Sequence, residues 1–381
     1  MEILALSAYH GGSHEQFLSQ WQHHSRHRFT LCTLPARHLK WRMRQAAYGL
    51  SQQALALDEA QRSFDVVWTT SLCNAAELRG LLPLRYRSLP FCVYFHENQF
   101  DYPSRTKTRD AERGWDVNLP LSNWMSCLAA DRLWFNSAYN LHSLLRGAEQ
   151  VLTKMPDEHS LDSLARIERK SEVQYPGIDF SFFNQPRPEN AARPLTVAWI
   201  ARWEHDKRPD LFARAVLELQ RRGVVFELVC LGQQFQNVPQ DFLMLKEAMG
   251  SALVHFGYAD RREFYRDLLL RSDVAVSMAE HEFFGIALLE AVAAGCVPVV
   301  PDRLVYQELY PAPCRYPVTN DEILVENVVK QLEALALLKQ SQGSLGSISG
   351  RVRQEMDLAK FDWVRRAREL DLGICDLKRS P

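Results

Sequence analysis

The sequence predicts an α/β protein made of two doubly wound parallel sheets, and three observations carry that prediction. Ten short apolar runs alternate with helix-sized segments: "EILALS", "RFTLCTL", "FDVVWTT", "FCVYFH", "RLWFNS", "LTVAWI", "FELVCLG", "LVHFGY", "DVAVSM" and "CVPVVP". Runs of this length, spaced by helices, are strand-helix-strand units whose parallel strands are buried on both faces. A chain of 381 residues exceeds what one ordinary core organises, so two domains are expected. Residues 174–194, "QYPGIDFSFFNQPRPENAARP", hold four prolines and no helical or strand period, which is linker chemistry, and the alternation restarts at "LTVAWI".

The expected layout is a first domain over residues 1–176 and a second over 177–354. A last helical segment, 355–381, is expected to pack back on the first domain. The polar stretch "KQSQGSLGSISG" (339–350) reads as a loop. Ligands of doubly wound sheets sit beyond the carboxyl ends of the strands, so a cleft between two such domains is the expected site.

Composition narrows the function. Hydrophobic residues make up 46% and charged residues 24%, as in a globular protein. A formal charge of -1 excludes a protein that simply coats nucleic acid or anionic lipid, so any polyanion site is a local patch. The eight cysteines are scattered in apolar runs without C-x-x-C pairs and read as buried thiols of a reducing compartment. "MEILALSAYHGGSH" reads as a first strand and not as a leader, and no run reaches the roughly 18 apolar residues of a spanning helix. A cytoplasmic protein with no stable membrane association is expected.

Four constellations carry candidate chemistry, each at a strand's carboxyl end. In "SDVAVSMAEHEFFGIALLEAVAAGCVPVVP", Glu282 falls in a loop and Glu290 inside the following helix, expected over 285–294. The amides around Phe284, Gly285 and Ile286 form a helix N-terminus able to hold phosphate. One carboxylate near a phosphate and another further back suit a nucleotide's hydroxyls. The competing reading makes Glu282 a first-turn residue favoured by the helix dipole and Glu290 part of a solvated face.

In "WIARWEHDKRPD", Arg202 and Lys207 follow a strand and could neutralise a diphosphate, or else be ordinary surface charges. Gly11 and Gly12 of "SAYHGGSHEQF" would let backbone approach a ligand closely, or form a plain tight turn. "VYFHENQFDYP" runs an apolar strand into His96, Glu97 and Asn98, suited to sugar or acceptor contacts; with Phe100 in place of a second histidine it is no zinc-protease helix. Basic stretches 35–45, with Trp41, Arg42 and Arg44, and 104–115, with Arg105, Lys107 and Trp115, could meet phosphates and stacked bases, or be solvated faces. A basic amphipathic helix could also lie on anionic lipid.

The order Gly-Gly, His-Glu, Pro-Gly-Ile-Asp, Arg-x4-Lys and Glu-x7-Glu resembles the retaining GT-B glycosyltransferases of the glycogen-synthase and mannosyltransferase clan, with two Rossmann-like domains. "AYHGGSHEQF", "TLPARHLKWRMR", "YFHENQFDYP", "NWMSCLAADRLWFNSAYN" and "MPDEHSLDSL" are similar to the tRNA-queuosine alpha-mannosyltransferase family. That resemblance implies transfer of mannose from GDP-mannose to queuosine in the anticodon of tRNA(Asp).

It further implies that Arg202 and Lys207 grip the donor diphosphate and Glu290 the ribose. Glu282, with the amides of Phe284, Gly285 and Ile286, would hold sugar hydroxyls and phosphate, and Gly12, beside Gly11, would approach the diphosphate. His96 would touch the sugar near its reacting carbon, with Glu97 and Asn98 addressing queuosine and Arg42, Arg44, Arg105 and Lys107 the tRNA.

No D-x-D occurs in the chain, so no metal cofactor is expected and cations replace it at the diphosphate. Glu282 is then a positioning residue, and its replacement by alanine, like that of Lys207, is expected to lower turnover by orders of magnitude with folding intact. The alternatives are another nucleotide sugar, a membrane-lipid acceptor met through residues 37–53, or an inactive RNA- or nucleotide-sugar-binding module.

Overall fold

A computed structural model of the chain describes residues 1–101, 117–188, 193–232 and 238–379. Its contacts divide the chain into two compact units, Met1–Gly177 with Trp363–Pro381, and Ile178–Asp362. Each unit is built on a six-stranded, wholly parallel sheet.

In the first unit the strands are β1 (Glu2–His10), β2 (Arg28–Pro35), β3 (Val66–Thr70), β4 (Phe91–Phe95), β5 (Arg132–Phe135) and β6 (Ser171–Val173). They lie in the order β2-β1-β3-β4-β5-β6. Central strands β3 and β4 are buried at every position, which is why they read as unbroken apolar runs. One face holds the helix Leu39–Glu59, whose Met43, Ala46, Ala47, Leu50 and Ala54 join Leu4 and Leu6 in a core.

The other face holds the helices Gly12–His24 and Trp363–Arg379. The last helix places Trp363, Ala367, Leu370, Ile374 and Leu377 among Phe17, Trp21, Trp68 and Trp134. Its Asp371, 1% exposed, accepts from Trp21 Nε1 (3.0 Å), Ser25 Oγ (2.6 Å) and the Arg26 amide (2.8 Å). Residues 355–362 belong instead to the second unit, so the helix that joins the first unit starts at Trp363.

The second unit contains β7 (Leu195–Ile200), β8 (Phe226–Leu231), β9 (Leu253–Gly257), β10 (Val274–Val276), β11 (Val297–Pro301) and β12 (Arg315–Tyr316), in the order β12-β11-β10-β7-β8-β9. The order reverses at β7 and β10, where crossovers leave toward opposite sides and open a crevice at the carboxyl ends. Away from that crevice, Asp273 binds the Thr196 amide (2.9 Å) and the ammonium of buried Lys339, tying the starts of both strands.

The stretch 339–350 is not one loop. A helix runs Asp321–Gln342, Gly343 ends it at φ 77°, and a second helix spans Gly346–Glu355. Buried Leu345 and Val352 anchor this polar segment, so tertiary burial overrides its composition. Seven of the eight cysteines are buried and all eight are free thiols.

Replacing Asp371 by alanine strands the Trp21 indole N–H and the Arg26 amide. The expected loss is about 3 kcal/mol of stability, read as a lower urea midpoint; an unchanged midpoint would show that the carboxylate does not hold the terminal helix.

Candidate active site

The loops after β7 and β10 meet at the switch in strand order. After β7 the chain makes a short turn, His205–Lys207, passes Arg208 in the left-handed region (φ 53°), and enters a helix at Pro209, a residue suited to a first helical position. Gly232, at the end of β8, supports this loop: a Cβ there would stand 1.8 Å from the Ala201 carbonyl oxygen. The sequence reading passed over this glycine, because its need is visible only once the β7 loop lies across it.

After β10, residues 279–285 approach the first loop. The Glu280 amide donates to the Asp206 carbonyl (2.8 Å) and Lys207 Nζ donates to the His281 carbonyl (2.6 Å). Lys207 Nζ also lies 3.2 Å from both Glu282 Oε2 and Asp206 Oδ2. Its side chain is 9% exposed and that of Glu282 is 23% exposed.

Burial works against both charges, but each ion outweighs it for the other. The Glu282 and Asp206 carboxylates raise the Lys207 pKa above its ordinary 10.5. The Lys207 charge and hydrogen bond, helped by the Phe284 amide, lower the Glu282 pKa below its ordinary 4.5. Both groups are charged at neutral pH.

Glu282 Oε1 accepts from the amides of Phe283 (3.2 Å) and Phe284 (3.4 Å). This corrects the expectation that the Phe284 amide is free for phosphate. Gly285 follows in the left-handed conformation (φ 79°), which favours glycine, and starts the helix Ile286–Ala293. The amides of Gly285 and Ile286 have no intrahelical acceptor and remain the anion-binding end.

Glu290 is not on a solvated face. It is 6% exposed and accepts from the Tyr265 hydroxyl at 2.9 Å. Burial, then the Glu290 charge, drives the Tyr265 pKa well above its ordinary 10.0, so the phenol remains the donor. Arg202 is the exposed cation of the set, its side chain 52% exposed and 3.4 Å from Glu204. The structure thus joins Lys207 directly to Glu282, while Arg202 and Glu290 make separate pairs.

The first unit holds the other candidates. The register of β1 against β2 shifts between Ser7 and His10, which still pairs with Pro35, just before Gly11. Gly11 is a packing residue, since a Cβ there would meet the Ala36 side chain at 2.5 Å. Gly12 has φ 55° and open space where a Cβ would stand.

His96, just beyond β4, lies against His14 with ring centroids 4.1 Å apart, framed by Tyr94 and the edge of Phe17. Burial first, and then His14, keeps its pKa well below the ordinary 6.5, so the ring is neutral. Its Nε2 is buried with no hydrogen-bond partner among the described residues. His14, which the sequence reading left aside, is a histidine one helical turn after the Gly-Gly pair.

Asn98 corrects another expectation. It is wholly buried, donates to Asn140 Oδ1 (2.9 Å) and Ser143 Oγ (2.8 Å), and accepts from the amides of Phe100 and Asp101. It shapes the loop and has no surface left for an acceptor. Glu97 is partly exposed and its side chain accepts from Gln99.

Arg42 is likewise 8% exposed and turned to Gln45, whereas Arg44 is exposed. Arg105 and Lys107 lie outside the described residues. Among the described residues no cluster of three His, Cys, Asp or Glu could hold a metal ion, and no helix is long and apolar enough to cross a membrane.

Two parallel six-stranded sheets together with a glycosyltransferase family match make the chain a glycosyltransferase of the GT-B type. Residues 181–310 match the model of glycosyl transferases group 1, and residues 2–178 that of the tRNA-queuosine alpha-mannosyltransferase N-terminal domain. The fold is shared with sucrose-phosphate synthase from Thermosynechococcus elongatus (TM-score 0.68, 12% identity, 100% of both chains). It is also shared with the N-terminal domain of trehalose-6-phosphate phosphatase from Candida albicans (TM-score 0.71, 10% identity, 99% of this chain and 97% of that one).

The chain is 35% identical to the tRNA-queuosine alpha-mannosyltransferase of Drosophila melanogaster over 84% of each protein, and it belongs to that family. A GDP-mannose:cellobiosyl-diphosphopolyprenol alpha-mannosyltransferase from Xanthomonas oryzae pv. oryzae is 23% identical over 56% of this chain and 55% of that one.

Because Lys207 is buried between two carboxylates, its loss is expected to cost stability as well as turnover. Lys207→Ala is expected to cost about 3 kcal/mol, whereas Glu282→Gln keeps the shape and loses the charge. The contribution of Glu282 is complete above pH 4.5 and falls away as pH drops through its lower folded value. That of Lys207 is complete below pH 10.5 and falls away as pH rises through its higher folded value. Urea unfolding of wild type and Glu282→Gln should therefore differ near neutral pH and converge in acid; a gap that persisted below the Glu282 titration would refute the pairing.

Proposed function

We propose that the chain transfers mannose from GDP-mannose to queuosine in the anticodon of tRNA(Asp), with retention at the anomeric carbon and without a divalent metal. The observation that carries the transfer is the Lys207–Glu282 pair at the switch in strand order, beside the open amides of Gly285 and Ile286. The acceptor rests on the family match across residues 2–178. GDP-mannose is supported by the mannosyltransferase names of both relatives, one of which includes that donor.

In this reading Lys207 and Arg202 bind the diphosphate, the Gly285 and Ile286 amides complete its shell, and Glu290 meets the ribose. Glu282, held by Lys207 and two amides, orients a hydroxyl of the sugar. The bond from mannose C1 to the leaving phosphate oxygen breaks while a queuosine hydroxyl oxygen bonds to C1 on the same face. The hydroxyl proton passes to the departing phosphate, so no side chain becomes a nucleophile.

The protein's part is orientation and fixed charge around an oxocarbenium-like state. His96 of the first unit is neutral and would offer a hydrogen bond without positive charge. A second reading, a lipid-linked acceptor, has in its favour the cellobiosyl-diphosphopolyprenol acceptor in the name of the Xanthomonas relative.

The test incubates the protein with GDP-mannose, queuosine-containing tRNA and a chelator, then weighs the nucleosides of the digested RNA. Expected is one added hexose on queuosine, reduced at least about 100-fold in Glu282→Gln. Product only with added divalent metal would overturn the metal-free mechanism. Transfer to a polyprenyl diphosphate sugar and none to tRNA would overturn the acceptor.

A further inference from the structure

The helix Leu39–Glu59 turns one face to the core and leaves another without a partner. Its buried face is Met43, Ala46, Ala47, Leu50 and Ala54. On the outer side Trp41 is 64% exposed and Tyr48 60%, with exposed Arg44 between them. Positions 41, 44 and 48 are three and four residues apart, so they line up on one face. Large aromatics left this open are the informative exception on a soluble surface.

The charge around them has one sign. No aspartate or glutamate occurs between Glu15 and Asp58, while Arg37, Lys40, Arg42 and Arg44 cluster at the start of the helix. Among the described residues none of these four makes an ion pair with a carboxylate. By contrast Arg208 is matched by Asp210, Glu280 and Asp321. A chain of net charge -1 thus carries a local cationic strip set with two open rings.

We propose that this strip is a docking surface for single-stranded RNA, in which bases stack on Trp41 and Tyr48 while Arg44 and Lys40 meet the phosphates between them. The proposal rests on the reading that the acceptor is a tRNA. Trp41 and Tyr48 are seven residues apart, about 10 Å along the helix at about 1.5 Å per residue. That is close to the rise of three stacked nucleotides at about 3.4 Å each. Aromatic rings interleaved with guanidinium groups are the sequence-tolerant means of holding unpaired bases.

The same geometry disfavours a lipid surface. A helix that lies on a bilayer needs a continuous apolar face turned outward. Here the apolar face is already inside the core, and the outer line reads Trp41, Arg44, Tyr48, Gln52, Leu55. Stacking with spaced cations fits that line, and insertion does not.

The experiment measures binding of the full-length protein to queuosine-containing tRNA by filter retention at several salt concentrations. Trp41→Ala and Tyr48→Ala should each raise Kd about tenfold, and Trp41→Phe should restore most of the loss. Arg44→Gln should flatten the slope of log Kd against log salt by about one. Unfolding midpoints should stay within about 2 °C of wild type, since the side chains are exposed.

Tight wild-type binding that the double variant Trp41→Ala/Tyr48→Ala left unchanged would overturn the docking surface and leave the tRNA acceptor standing. A wild type that does not bind tRNA would overturn the acceptor reading and the surface with it. Sedimentation with anionic phospholipid vesicles, lost in the double variant while its tRNA affinity stayed at the wild-type value, would assign the strip to lipid instead.

Discussion

The reversal of strand order between β7 and β10 opens a crevice that the sheet cannot fill, and one buried ammonium group spans it. Lys207 reaches the His281 carbonyl and the carboxylates of Asp206 and Glu282, so it ties together two loops more than seventy residues apart in sequence. Its charge is what makes Glu282 tolerable in a largely buried place. Glu282 in turn caps the amides that lead into the helix Ile286–Ala293, leaving those of Gly285 and Ile286 open. The anion-binding end of the helix, the ionised carboxylate and the loop conformation therefore share one cause.

The pairing also fixes the charge states of the two loops that meet in the second unit. Glu282 and Lys207 push each other toward their charged forms, and His96 is kept neutral by burial. Fixed charges of this kind suit a reaction whose proton stays between acceptor and leaving group. The first unit is organised by different means. Buried asparagines bind one another and the backbone after β4 and β5, and these bonds hold the loop that carries His96 and Glu97.

Much of this was legible in the sequence, for stated physical reasons. Ten of the twelve strands among the described residues coincide with apolar runs, and the central ones, such as β3 and β4, are unbroken because both faces are buried. The two that do not are the edge strands β6 and β12, three and two residues long, with sequences Ser-Glu-Val and Arg-Tyr that carry no period. Glu282 and Lys207 could be placed in loops, yet their contact could not be read, because Lys207 sits in the charged stretch "EHDKRPD" that looks solvated. Asn98 was misjudged for the opposite reason: a polar residue at a strand end looks available, and only the fold shows that Asn140 and Ser143 consume it.

The account's central claim is that cations of the β7 loop, and not a metal, hold the donor diphosphate. Calorimetric titration of GDP in the presence of a chelator tests it most directly, comparing wild type with Arg202→Gln, whose exposed side chain can be changed without cost to the core. The account predicts that wild type binds GDP in chelator and that Arg202→Gln weakens binding at least about tenfold with an unchanged unfolding midpoint. Binding that required a divalent ion, or that was indifferent to Arg202, would contradict it.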